Sequence, residues 1–354
     1  MINVLVVDDS QSVREYLEHL IGTDPGMRVV GMARNGREAL KFLRHSRPDV
    51  ITMDIEMPEM DGFETTRAIM ETDPVPIVII SSLWRPGEVS RTFQAMEAGA
   101  VAILQQRAGL RHPDHAASTV ELLSTIRQAA AAKVRKLRVP RREISSTDLR
   151  PEELPVKPIQ VVAVGASTGG PTAIQELLFA LPATFPVPLL IVQHIAAGFA
   201  DGFADWLNNT VPMSVRPARH GETILPGHAY VAPDNLHLLY GPHSTVVLSD
   251  APPEHSMRPA VSCLFRSVSR ALGSAGIGIL LTGMGRDGAA ELKMIKDAGG
   301  ITFGQDQASS IIHGMPGEAL QLGACTYMLP PGKIAEMLLT LTAVPKLHTP
   351  KSHS

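Results

Sequence analysis

Residues 161–171 read VVAVGASTGGP, an apolar, β-branched run that stops at Gly165-Ala-Ser-Thr-Gly169 and meets Pro171 two residues later. A short run of this kind, closed by glycine, predicts a buried strand. Glycine on both sides of Ser167 lets the chain turn sharply from strand to helix and hold the hydroxyl above a sheet, the geometry a nucleophile needs. The same turn suits a plain helix start, capped by Ser167 or Thr168 with Pro171 in the first turn, or a phosphate-binding turn. Neither standard nucleotide motif fits: Ser167 stands where G-x-G-x-x-G requires its second glycine, and no Lys-Ser/Thr pair follows.

Outward from this turn the chain alternates. Strand 160–164 is followed by helix 171–180, strand 188–193, a helix near 200–208, strand-like segments at 228–232, 236–239 and 245–248, helix 260–272, strand 276–282, helix 288–298, strand 301–304 and a closing helix near 333–342. This predicts a doubly wound, mostly parallel α/β domain over 159–343, with an irregular middle suited to a hairpin. Upstream, strands 2–7, 29–33, 49–54, 77–81 and 101–105 alternate with helices, the first marked by Val13, Tyr16, Leu17, Leu20 and Ile21, the others at 36–44, 62–71, 86–98 and 115–133. Five βα units predict a second α/β domain over 1–133, built on a parallel sheet covered on both faces. Residues 134–158 read as a linker, basic at its start and then polar with Pro151, Pro155 and Pro158, and 344–354 as a frayed tail.

At 354 residues the chain has length for two cores, and a net charge of -3 gives no global attraction to nucleic acid. Cys263 and Cys325 are the only cysteines, too few for a disulfide framework or a zinc site of paired cysteines. The first residues lack a basic leader region, and no segment sustains the apolar length of a membrane span. The expectation is a cytoplasmic protein without membrane insertion.

Ligands of open parallel sheets bind beyond the carboxyl ends of the strands. Asp8 and Asp9 follow the first strand, Asp54 ends the third and Ser81 ends the fourth. Three clustered carboxylates repel unless a divalent cation sits among them, and so few carboxylates suit magnesium. A carboxylate beside such a metal can attack a phosphoryl donor. Alternatively Asp9 or Ser10 caps a helix and Asp54 begins a turn. In the second domain His194 ends the run LLIVQH and Asp287 follows GIGILLT within GMGRDG, so a nucleophile, a base and an acid all follow apolar strands at one sheet edge. Asp287 also fits as an N-cap of the next helix. His220, His237 and His313 are rival bases, but none ends a comparable strand. The order Ser, His, Asp disfavours an α/β-hydrolase.

VVDDS at 6–10, DVITMDIEMPEMDG at 49–62 and ISS at 80–82 resemble the receiver domain of bacterial response regulators, over about 1–133. The resemblance implies Asp54 as phosphoacceptor, Asp8 and Asp9 with Asp54 as Mg2+ ligands, and Ser81 as the hydroxyl that senses phosphate. The sequence departs at 101–107, VAILQQR: Ile103 stands at the usual aromatic position and Gln106 at the usual lysine, with Arg107 next to it. That implies a phosphorylatable site with a weakened readout. Residues 161–171, Gln193-His-Ile195, LTGMGRDG at 281–288 and Gly314-Met-Pro316 resemble the chemotaxis protein-glutamate methylesterases, the CheB family, over about 158–342. This implies Ser167 as nucleophile, His194 as general base and acid, Asp287 as orienting carboxylate, and an oxyanion hole at the amides of Thr168 and Met284. It also implies glutamate methyl esters on the cytoplasmic helices of a methyl-accepting chemoreceptor as substrate, deamidation of receptor glutamines, a chemotaxis-type sensor histidine kinase as partner, and no cofactor for the ester reaction. Ser262, in RPAVSCLF at 258–265, stands where the family pattern leads one to expect aspartate; no catalytic role is assigned to it. A non-catalytic adaptor that binds receptors or drains phosphate, and a nucleotide-binding output domain, are the competing readings.

Overall fold

The computed structural model describes residues 1–81, 86–105, 115–134 and 158–343. Ser82, Gln106, Arg107, most of the linker and the tail at 344–354 lie outside the described residues.

The first sheet contains β1 (Ile2–Val7), β2 (Met27–Ala33), β3 (Val50–Met53), β4 (Ile77–Ser81) and β5 (Ala102–Gln105), separated by α1 (Gln11–Gly22), α2 (Gly36–Leu43), α3 (Gly62–Thr72) and α4 (Pro86–Glu97), with α5 (His115–Ala130) last. Its order is β2-β1-β3-β4-β5, parallel throughout. All residues of β3 and β4 are buried, as expected of strands covered on both faces. Strand order reverses direction between β1 and β3, so a crevice opens at the ends that carry Asp8, Asp9 and Asp54.

The second domain contains β6 (Val161–Ala166), α6 (Gly170–Phe179), β7 (Leu189–Gln193), α7 (Ala200–Thr210), β8 (Ser214–Pro217), β9 (His228–Val231), β10 (His237–Gly241), β11 (Thr245–Ser249), α8 (Val261–Leu272), β12 (Gly276–Leu280), α9 (Ala289–Asp297), β13 (Ile301–Gln305), α10 (Met315–Gln321), β14 (Tyr327–Leu329) and α11 (Pro331–Thr342). Seven strands form one sheet in the order β14-β13-β12-β6-β7-β9-β8, and every pairing in it is parallel. The expected hairpin exists as β10 and β11, an antiparallel pair apart from that sheet. Strands β8 and β14 and helix α10 were not expected. Both strands lie at sheet edges, where Arg216 and Pro217 are tolerated and few apolar residues are needed, and α10 is too short to show a helical period.

The two domains share apolar packing. Phe93 of α4 is fully buried, with its ring 5.5 Å from those of Trp206 and Phe203 on α7 and 6.5 Å edge-on from Phe199. Beside this cluster Glu97 Oε1 accepts hydrogen bonds from Trp206 Nε1 at 2.9 Å and Gln175 Nε2 at 3.4 Å. Among the described residues no helix is long and apolar enough to cross a membrane.

Candidate active site

The central strand β6 has β7 on one side and β12 on the other. Ser167, His194 and Asp287 follow these three strands, so the direction of strand order reverses at the point where they meet. His194 is fixed through its own backbone, its N–H donating to Ala166 O at 2.9 Å and its carbonyl accepting from Gln193 Nε2 at 2.8 Å. Its Nε2 lies 2.9 Å from Asp287 Oδ2, with both side chains buried.

Asp287 does not cap the helix that follows it. Gly288 occupies that position with φ of +80° and no side-chain cap. The carboxylate instead faces the N-terminus of α8, where Oδ2 accepts from Val261 N–H at 2.7 Å and Oδ1 from Ser262 N–H at 2.9 Å. Burial pushes the Asp287 carboxyl up, but the hydrogen bond and charge of His194, with the bonds from Ser262, outweigh it and hold the group at about 2. An ionised carboxylate only accepts, so His194 Nε2 carries the proton of the neutral ring and Nδ1 keeps its lone pair. Among the described residues no hydrogen bond joins Ser167 Oγ to His194, although both line one cavity.

The turn after β6 is held by the segment after β12. Ser167 N–H donates to Thr282 O at 3.0 Å, and Thr282 Oγ1 donates to Thr168 O at 3.0 Å. Gly283 packs directly on the turn: a Cβ there would come 2.7 Å from Ser167 Cβ and 2.5 Å from Met315 Sδ. This close approach sets Gly283, the residue before Met284, against Ser167. Among the described residues neither Thr168 N–H nor Met284 N–H donates a hydrogen bond.

The rival histidines have other work. His237 is buried, with Nε2 facing Pro252 O at 3.1 Å and Nδ1 accepting from Ala260 N–H at 3.1 Å, which anchors the start of α8. His220 Nδ1 accepts from Leu248 N–H, and His313 Nδ1 lies 3.3 Å from Ser310 Oγ. Ser262, which the sequence marked only as a departure from the family pattern and to which no catalytic role was assigned, contacts Asp287 directly through its hydroxyl.

The N-terminal domain closes over this edge. A cavity of about 440 Å³ is lined by Phe93, Val101 and Gln128 on one side and Ser167, His194 and Met257 on the other. Thr168 Oγ1 donates to Gln128 Oε1 at 3.0 Å, and Gly169 N–H donates to Val101 O at 3.3 Å. The second of these uses a residue at φ of +76°, a conformation open to glycine. Ile103 is buried and lines the same cavity.

In the N-terminal domain Asp8, Asp9 and Asp54 bring carboxylate oxygens within 4.8 Å of one another. Ser10 makes no side-chain cap to α1. Burial raises the Asp8 carboxyl, with Asp9 adding to it, and burial followed by the charge of Asp8 pushes Asp54 up to about 7. Such uncompensated negative charge in an all-oxygen cluster fits a hard divalent cation. Ser81 is buried at the end of β4, beside Gln105 in the pairing register.

Two family models match the chain: a response regulator receiver domain at residues 4–112 and a CheB methylesterase at residues 162–338. A protein-glutamate methylesterase/protein-glutamine glutaminase of Nitrosospira multiformis is 49% identical over 97% of this chain and 98% of that protein. One from Geobacter metallireducens is 49% identical over 96% of this chain and 99% of that protein. The crystal structure of the Thermotoga maritima CheB methylesterase catalytic domain covers 52% of this chain and 98% of its own, with 33% identity and a TM-score of 0.51. With a receiver domain ahead of the matched catalytic domain, and relatives of this identity along nearly its whole length, the chain belongs to the CheB methylesterase family.

Proposed function

We propose that the protein is a serine-type protein-glutamate methylesterase, acting on methyl-esterified glutamates of a chemoreceptor's cytoplasmic helices, and that its receiver domain gates the site. The observation that carries the reading is the buried His194–Asp287 pair, with the bare Nδ1 left to serve Ser167. Ser167 Oγ attacks the ester carbonyl as His194 Nδ1 takes its proton. The amides of Thr168 and Met284 receive the developing oxyanion, a contribution on the order of 10²- to 10³-fold per donor. The intermediate collapses with loss of methanol, protonated by His194, and water activated by the same nitrogen releases glutamate. Asp287 stays ionised throughout and stabilises the imidazolium. A glutamine amide passes through the same acyl intermediate and loses ammonia, in keeping with the second activity in the relatives' names.

A receptor helix is about 10–12 Å across with its side chains, and Gln128 and Val101 stand over the turn it must reach. The receiver therefore has to move before substrate enters. Asp8, Asp9 and Asp54 would hold Mg2+, which neutralises charge on an incoming phosphoryl group, and Asp54 would be the acceptor, with a sensor histidine kinase as donor. Ser81 would bind the phosphoryl group, coupling it through β4 and β5 to the face that covers Ser167. Methanol release from a methylated chemoreceptor cytoplasmic fragment tests the activity: the wild-type chain is expected to release methanol and S167A to release none, whereas turnover by S167A would overturn the assignment.

A further inference from the structure

Among the described residues the Asp287 carboxylate has four donors, and two of them come from one residue. His194 Nε2–H and Val261 N–H share Oδ2, while Oδ1 takes the Ser262 N–H at 2.9 Å and the Ser262 hydroxyl at 2.5 Å. Ser262 is fully buried, and its Oγ accepts from Gly288 N–H at 3.1 Å. With that amide filling an acceptor site, the single hydroxyl proton is committed to Asp287.

We propose that Ser262 is a positioning residue of the hydrolytic centre, its hydroxyl bridging Gly288 and Asp287 so that the carboxylate plane stays directed at His194. This rests on the Ser-His-Asp reading above. The backbone amides of Val261 and Ser262 hold one oxygen each, and the hydroxyl adds a second donor to Oδ1 that stiffens this cradle while Oδ2 faces the ring. A neutral hydroxyl does this without adding a second negative charge beside a buried carboxylate, which an aspartate at 262 would do. The bond also draws charge from Asp287, so the hydroxyl tunes how strongly the pair favours the imidazolium. The other titratable neighbour on α8 is Cys263, whose thiol is pushed up to about 12 by burial and by Glu254, and which therefore stays neutral while the pair is titrated.

The test compares full-length S262A, S262T and S262V, the last two nearly equal in shape and differing by the hydroxyl. Removing the hydroxyl in S262A and S262V is expected to lower kcat by about 10- to 100-fold with little change in KM. It should also move the acidic limb of the kcat/KM profile upward by about half a pH unit, because a carboxylate with one donor fewer is more basic. S262T should stay near wild type on both counts. If S262A does not fold, the Thr and Val pair decides. Equal kcat and equal pH limbs for S262T and S262V, with wild-type turnover that depends on Ser167, would overturn the role of Ser262. Wild-type turnover independent of Ser167 would overturn the reading beneath it.

Discussion

Glu97 offers a clean way to loosen the receiver from the catalytic edge, because it belongs to neither active centre and its side chain is exposed apart from its bonds to Trp206 and Gln175. A hydrogen bond to a charged group contributes about 1.5–3 kcal/mol, and solvent screening at an exposed carboxylate roughly halves that. E97A should therefore weaken the closed arrangement by about 0.75–1.5 kcal/mol, which multiplies the open-to-closed ratio about 4- to 13-fold. While the closed form predominates, kcat/KM for a methylated receptor fragment rises by the same factor, without phosphodonor. The assay is initial-rate methanol release by the full chain, wild type against E97A, each with and without a small phosphodonor and Mg2+. Phosphodonor should add less to E97A than to wild type, because part of the opening is already done. A folded E97A with unchanged or lower kcat/KM would refute the idea that this face restrains the enzyme.

Other perturbations address the remaining parts. Asp54 is raised from 3.8 to about 7, so the folded chain binds that proton more tightly and loses stability as pH climbs from about 4 to about 7; at pH 8 without Mg2+ the cost is at most about 4 kcal/mol. D54N should raise the unfolding midpoint of the receiver at pH 8, with the gain shrinking toward pH 4 and when Mg2+ is added, as denaturant titration would read. G283A would drive a Cβ into Ser167 and Met315, so kcat should fall about 10- to 100-fold while the fold, followed by circular dichroism, persists. The receiver resemblance puts Gln106 where a lysine would pair with phosphate, so activation by phosphodonor is expected to be weak in the wild type and stronger in Q106K, measured as the ratio of methanol release with and without the donor.

Much of this was legible in the chain because the chemistry sits at strand ends. Apolar runs such as VVAVGA and LLIVQ are buried on both sides, so they announce parallel strands, and the polar residue that ends each one marks the ligand edge. The three carboxylates of the receiver were visible for the same reason. What escaped were features set by approach of distant segments. Asp287 could be read as a cap for α9 because sequence gives only neighbours along the chain; its backbone donors come from α8, about 25 residues earlier. Ser262 stood out only as a departure from the family pattern, and its role needed α8 to be placed against that carboxylate. Edge strands β8 and β14 are too short and too polar to register as periodic. The coverage of the turn at Thr168 and Gly169 by Gln128 and Val101 depends on how two domains dock, which strand and helix periods do not encode.

The central claim is that the ester is cleaved through Ser167. Acid-quenching the wild-type chain during turnover of a methyl-esterified receptor peptide, followed by peptide mapping in a mass spectrometer, measures this directly. The account predicts a peptide acyl group on the fragment containing Ser167, at higher occupancy in wild type than in H194A and absent from S167A. An acyl group on another residue, or methanol release by S167A, would contradict it.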